Sequence, residues 1–303
     1  MINIFITGGT GSVGSYVIDQ FKDNDNYHLF VLARNISKVK QANNMTVVEG
    51  HMMDIDAFKE YLINIDYLIH IATSWGDQPT EDVNIHKTME LFNYVNTKQL
   101  KNIIYFSTAS ILDKNGNLLP QAKEFGTIYI QTKYLCREYI DRLDFKEKIK
   151  IIYPTMIWGG DENHPYTHVA SGLKSIKNYV KLFRFFDFPL KFHFIHAEDI
   201  AKIVHHLVIH KTDKQSFVLG NKVVSYKEFI MELCKVFKIK YYFSIPISMS
   251  FIKLVAKLLN KQMSAWDVFS LSNYEQEYEV VNAQSFGLKS NYDTVGKLLS
   301  SYR

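Results

Sequence analysis

In the first half of the chain the apolar positions gather into short continuous runs at 3–7, 29–33, 46–49, 67–71, 103–107 and 149–153. Between them, stretches such as 13–21 and 83–97 space their apolar residues at helical intervals. A strand covered on both faces has no solvent side to show, so its sequence reads as an unbroken apolar run. Strands of that kind alternating with helices predict a parallel, doubly wound α/β sheet. Ligands of such a sheet bind beyond the carboxyl ends of its strands, and the unusual residues here stand just after the runs.

From about Gly159 onward the alternation weakens. Loops lengthen and aromatics gather at Phe183, Phe185, Phe186 and Phe188. This predicts a sheet domain over 1–158 and, over 159–303, a smaller, irregular lobe that closes over the site. Residues 190–220 are expected to return in part to the main sheet, with 192–195 as a candidate strand.

The 303 residues suffice for one large core or two smaller ones, and 47% hydrophobic with 22% charged residues excludes disordered and fibrous classes. A net charge of +4 is mild, and Arg occurs only at 34, 137, 142, 184 and 303. With no basic stripe, no nucleic-acid partner is expected. Cys136 and Cys234 lie inside apolar helical patterns without metal spacing, which predicts reduced thiols in a cytoplasmic protein. The apolar start, Met1 to Ile6, is too short to span a bilayer. The stretch 245–259 is interrupted by Pro246, Lys253 and Lys257, while Phe251, Ile252, Val255 and Leu258 recur at helical spacing. It reads as a core or lid helix, so no membrane partner is expected. His205 and His206 fall on different sides of a helix, and with His193, His196 and His210 they make no metal face.

The first run ends in Thr7-Gly8-Gly9-Thr10-Gly11-Ser12-Val13-Gly14 and leads into a helical pattern. Glycines let backbone approach a phosphate, and the helix start offers free N–H groups and the positive end of a dipole. Strand before and helix after supply the context that a lone glycine motif lacks. After the second run, where an acidic residue commonly meets the ribose hydroxyls of NAD, stands Ala33-Arg34-Asn35. A guanidinium there suits a 2′-phosphate, so NADP(H) is favoured over NAD(H).

Tyr129 and Lys133 stand four residues apart in a helical pattern and so share one face. A cation beside a phenol stabilises the phenolate, which would make Tyr129 a usable proton donor and acceptor.

Taken together, these segments resemble the extended short-chain dehydrogenase/reductase, or NAD-dependent epimerase/dehydratase, family over nearly the whole chain. Residues 7–14 look like its glycine turn. The segment 66–73 resembles its fourth strand, which implies that Ile71, Ala72 and Thr73 border the cofactor. The run Asn84-Ile85-His86-Lys87-Thr88 is similar to its Asn-led helix start, except at Lys87. Phe106-Ser107-Thr108-Ala109-Ser110 resembles the strand end that supplies a catalytic hydroxyl, which falls on Thr108, with Ser107 and Ser110 as lesser candidates. Tyr153-Pro154-Thr155-Met156 looks like the segment passing the nicotinamide, the stretch 194–201 matches a structural one, and Phe286-Gly287-Leu288 resembles the C-terminal signal.

The resemblance implies a Rossmann-type fold with a smaller substrate lobe, and hydride transfer between nicotinamide and a substrate carbon. Tyr129 would exchange the hydroxyl proton, Lys133 would hold the cofactor ribose, and Thr108 would orient the substrate oxygen. Cofactor contacts are expected from Gly8, Thr10, Gly11, Ser12, Val13, Gly14, Arg34, His51, Met52, Pro154, Thr155 and Met156. Two departures matter. His51 stands where an Asp often meets adenine, with Asp54 expected to cap the next helix. Between 150 and 302 only Arg184 offers the bidentate fork that clamps a nucleotide-sugar diphosphate. The expected activity is therefore an oxidoreductase of a small or moderately apolar carbonyl or alcohol. The alternatives are a nucleotide-sugar epimerase or dehydratase with tightly held NAD, and a non-catalytic NAD(P)-binding redox sensor. The resemblance also implies a homodimer built on the helices after Val83 and around 129–141. Trp75, Trp158 and the Phe183–Phe188 group are candidates for either pocket wall or core.

Overall fold

The computed structural model describes residues 1–76, 79–173, 175–251, 264–272 and 277–302. Strands β1 (Ile2–Thr7), β2 (Tyr27–Ala33), β3 (Met45–Glu49), β4 (Tyr67–His70), β5 (Asn102–Phe106) and β6 (Ile149–Pro154) fall on the six apolar runs. Four short strands follow: β7 (Met156–Trp158), β8 (Phe186–Asp187), β9 (Lys191–Phe192) and β10 (Phe194–His196). Then come β11 (Ser216–Leu219), β12 (Val224–Ser225) and β13 (Ile245–Pro246). The helices include α1 (Ser12–Phe21), α2 (Lys87–Tyr94), α3 (Pro120–Phe125), α4 (Ile128–Ile140) and α5 (His168–Ser171). They continue with α6 (Lys177–Phe183), α7 (Ala197–Ile209) and α8 (Tyr226–Val236).

The main sheet has seven parallel strands in the order β11-β6-β5-β4-β1-β2-β3. This is a doubly wound Rossmann-type sheet. Ile4 and Ile6 of β1 pack with Val17 of α1 and Ile203 of α7 on one face. Phe5, one residue out of phase, packs with Leu91 of α2 and Tyr134 of α4 on the other. Burying such a side chain stabilises the fold by about 1.5–3 kcal/mol, which is why the fully buried middle of β1, Ile4–Ile6, carries no polar residue. The strand order reverses between β1 and β4, where Thr7 lies in register with His70, and the crevice opens there.

The C-terminal half builds a separate core from Trp158, Leu173, Val180, Phe194, Leu233 and Leu299. Its ladders are short: β10 pairs with β7, β12 with β9, and β13 with β8. The strand that joins the main sheet is β11, beside β6. The expected candidate at 192–195 is divided instead between β9 and β10, because Phe194 and Phe192 pack into the second core rather than against the sheet.

Three local expectations need correction. The helix expected over 83–97 begins as a wide π turn, Asp82–His86, and α2 stops at Tyr94 before Val95 turns extended. Asp54 does occupy an N-cap position, but its side chain makes no capping bond. Of the apolar stretch at 245–259, Ile245–Pro246 is a strand, 249–251 are helical and 252–259 lies outside the described residues.

Candidate functional site

The β1–α1 turn is built on glycines that have no alternative. Gly8 has φ of 73°, and a Cβ there would meet the Ala72 nitrogen at 2.7 Å; one on Gly14 would meet the Gly8 carbonyl oxygen at 2.1 Å. The turn therefore brings bare backbone against the strand next door. Helix α1 starts from Gly11 with no side-chain cap, which leaves its first N–H groups for a ligand.

Above this turn a cavity of ≈ 1010 Å³ follows the sheet edge, and every candidate catalytic and cofactor-contact residue named from the sequence lines it. Arg34 stands exposed, and Thr108, Tyr129 and Lys133 all line the same cavity. Thr127, His168, Val169, Phe192, His193 and Tyr278 also line it, and none of them was singled out for the pocket from sequence. They come from distant stretches, with no local motif. His193 Nε2 accepts from the Tyr278 N–H at 3.1 Å while its Nδ1 contacts the Asn221 carbonyl at 2.7 Å, so this ring fastens the 278 segment to the wall. No group of His, Cys, Asp and Glu among the described residues forms a metal site.

Two buried polar side chains hold the centre in place. Asn84, 1% exposed, accepts from Thr73 Oγ1 and Ser74 N at 3.0 and 2.9 Å. It donates to the Ser74 carbonyl and Thr132 Oγ1, both at 3.1 Å. All four hydrogen-bonding positions of its amide are used, and they tie the loop after β4 to the helix bearing Lys133. The π turn is where this side chain sits, and such turns recur at functional sites.

His70 makes the second link. Thr88 gives its own proton to the Val83 carbonyl at 2.9 Å, so it accepts from His70 Nε2 at 2.9 Å. In the neutral ring Nδ1 is then the acceptor and takes the Thr7 hydroxyl proton at 2.7 Å, while Thr7 Oγ1 accepts from Ala72 N–H at 3.2 Å. Burial, helped by the Lys133 charge, pushes the His70 pKa down to about 3.

Tyr129 and Lys133 lie on one face of α4, with Thr127 capping the helix start. The sign of the phenol's shift differs from the expectation. Burial raises Tyr129 well above the ordinary phenol range, and the neighbouring Thr108 hydroxyl pulls it partly back. Lys133 does not act on it, because its ammonium is turned to the Phe106 carbonyl at 2.8 Å and to the Tyr105 hydroxyl at 3.4 Å. Burial lowers Lys133 itself to about 8. Trp75, 69% exposed, stacks on Tyr129 with ring centroids 3.7 Å apart and planes at 17°. Trp158, by contrast, is core.

His51 does not present its Nδ1 to the cavity, since that atom accepts from Met53 N at 3.1 Å. Arg184 lies outside the cavity, bonded to the Lys240 carbonyl and stacked 4.6 Å from the Phe185 ring centroid. Among the described residues the cavity lining contains no Asp or Glu, and Arg34 and Lys133 are its only Lys or Arg.

The family model of the NAD dependent epimerase/dehydratase family matches residues 4–220. The chain belongs to that family. Membership makes this an NAD(P)-dependent enzyme. A sterol-4-alpha-carboxylate 3-dehydrogenase (decarboxylating) of Dictyostelium discoideum is 23% identical over 299 residues, covering 89% of this chain and 87% of that protein. Among solved structures, a UDP-N-acetylglucosamine 4-epimerase from Methanobrevibacter ruminantium superposes with TM-score 0.69 at 17% identity, covering 99% of this chain and 96% of that one. A dTDP-glucose 4,6-dehydratase from Bacillus anthracis, solved with NAD, gives 0.66 at 14% identity over 100% and 95%. At these identities the structures establish the shared fold. No helix among the described residues of this family member is long and apolar enough to cross a membrane.

Proposed function

We propose that this enzyme is an NADP(H)-preferring oxidoreductase that transfers hydride to and from a small or moderately apolar carbonyl or alcohol. One observation carries the substrate class. Among the described residues, the cavity wall given by the second lobe, Thr167, His168, Val169, Phe192, His193 and Tyr278, holds no Lys or Arg to meet a diphosphate. The name of the Dictyostelium relative, a dehydrogenase of a sterol carboxylate, agrees with an apolar substrate. Preference for the 2′-phosphate rests on Arg34 together with the absence of any carboxylate among the described residues of the cavity lining.

The residues fit a dinucleotide because the cradle at Gly8 and Gly14 is closed to any Cβ and the helix start beyond it is uncapped. In this reading the backbone of residues 8–14 holds the pyrophosphate. His51, Met52 and residues 71–73 border the adenine and ribose side, and residues 154–156 pass the nicotinamide. When bound, the cofactor supplies or accepts the hydride. Tyr129, kept neutral by burial, gives its proton to the substrate oxygen in the reducing direction, and Thr108 orients that oxygen. Lys133 lies four residues along the same face and lines the same cavity, where it would hold the cofactor ribose.

Thermal scans with NAD⁺, NADH, NADP⁺ and NADPH test the cofactor. A nucleotide at a hundredfold excess over its dissociation constant stabilises the fold by about 2.7 kcal/mol. NADPH should give the largest shift, and Arg34→Ser should remove its advantage over NADH. A larger shift with NAD⁺, raised further by UDP- or dTDP-sugars, would favour an epimerase or dehydratase. We also propose the division at 158/159, a cytoplasmic location, and dimerisation through α2 and α4. Sedimentation of the purified protein tests the last.

A further inference from the structure

We propose that the second lobe docks on an anionic membrane surface. Helix α6 is held to the lobe by Val180, 2% exposed, while Tyr179, Leu182 and Phe183, at i, i+3 and i+4, share an outer stripe. Tyr179 is 62% and Leu182 57% exposed. Beside them runs the segment leading into β13, where Tyr242, Phe243 and Ile245 are exposed as well. The two pieces form one surface: β13 pairs with β8, Arg184 bonds to the Lys240 carbonyl, and Phe185 meets Phe243 with ring centroids 5.7 Å apart. Large apolar groups gathered on a surface mark an interaction site, whereas apolar residues scattered singly do not.

Charge identifies the partner. The sequence has no Asp or Glu between Glu162 and Asp187, nor between Glu232 and Asp267. The same two segments carry Lys177, Lys181, Arg184, Lys238 and Lys240 beside the exposed aromatics in sequence, with Lys235 paired to Glu232. In a chain whose net charge is only +4, these segments are strongly basic. Aromatic and leucine side chains with flanking lysines, whose stems lie on apolar matter and whose heads reach water, match a bilayer interface with anionic headgroups. A second copy of the chain would set two basic faces against each other. The expectation of no membrane partner came from the lack of a spanning segment and from reading 245–259 as a core or lid helix; a docking surface on α6 and the segment before β13 depends on neither.

Position adds a consequence. Val169 of α5 lines the cavity and is itself exposed, and α5 leads through a short turn into α6. Docking therefore sets the cavity mouth close to the bilayer, and a substrate dissolved in lipid reaches Tyr129 without crossing water. Only this consequence rests on the oxidoreductase reading.

The test is co-sedimentation of the full chain with vesicles of phosphatidylcholine alone or mixed equally with phosphatidylglycerol. The protein should pellet with the mixed vesicles, stay in solution with phosphatidylcholine alone, and be released by high salt. Lys177→Gln and Lys181→Gln should each weaken binding about fivefold. Leu182→Glu with Phe183→Glu should abolish it while leaving the thermal melt and NADPH binding intact. Failure to pellet with mixed vesicles overturns the proposal, as does pelleting that these variants leave unchanged. A dimer that Leu182→Glu converts to monomer, without vesicle binding, assigns the face to self-association instead.

Discussion

The polar bracket under the cavity floor and the outer face of the second lobe are built on opposite rules. Asn84 and His70 are buried with every polar atom matched, and each joins elements far apart in the chain. Helix α6 hangs on one buried residue and shows its apolar stripe to the outside. The first arrangement stores position, since moving any one element leaves buried polar groups unmet. The second stores nothing for the fold and is free to serve contact with something else. A reaction centre needs the former, and a surface that meets substrates or membranes can use the latter.

Substitution sharpens the contrast most at Asn84. Asn84→Ala strands the partners at Thr132 and Ser74, and the expected loss is of order 3 kcal/mol, read as a lowered melting temperature. A variant as stable as the parent would mean the bracket does not hold the site.

Acid titration comes next. His70 and His196 are held by burial to about 3 and about 4, below the ordinary 6.5, so the folded protein refuses protons the unfolded chain accepts. Their contribution is complete above about pH 6.5 and is lost as pH falls. Asp199, raised by burial to about 6, works the other way, since the folded form takes its proton first. Between pH 6 and 4 these three groups give a net of about one proton, roughly 1.4 kcal/mol of stability lost per pH unit, and His193, His205 and His206, also lowered by burial, act in the same direction. Denaturant melts across that range check the slope, and a flat profile would break the account of His70.

Trp75→Ala removes the ring over Tyr129, a contact worth about 0.5–1.5 kcal/mol. Steady-state kinetics should show a loss in kcat/KM below about tenfold, with cofactor binding unchanged. The smallest effect belongs to the far side. Leu182→Glu should shift stability by no more than about 0.5 kcal/mol, because the side chain packs against nothing that folding requires.

The same contrast explains what the sequence discloses. The main strands are legible because double burial writes itself as an apolar run, and the glycine turn because only glycine fits at Gly8 and Gly14. Tyr129 and Lys133 share a face by spacing alone. The π turn at Asp82–His86 is not legible, since it answers to partners at 73–74 and 132. Nor is the meeting of His193 with Tyr278, which are 85 residues apart. The shift at Tyr129 was misread because spacing reports that a cation is near but not where its protons point. Lys133 gives them to Phe106 and Tyr105, and burial then decides.

The central claim is spatial, and a crystal structure of the enzyme with NADPH tests it most directly. The account predicts the pyrophosphate on the backbone of residues 8–14, the 2′-phosphate at Arg34, and the reactive edge of the nicotinamide beside the Tyr129 hydroxyl. A complex with the nicotinamide lying away from Tyr129, or with the nucleotide bound outside the cavity, would contradict it.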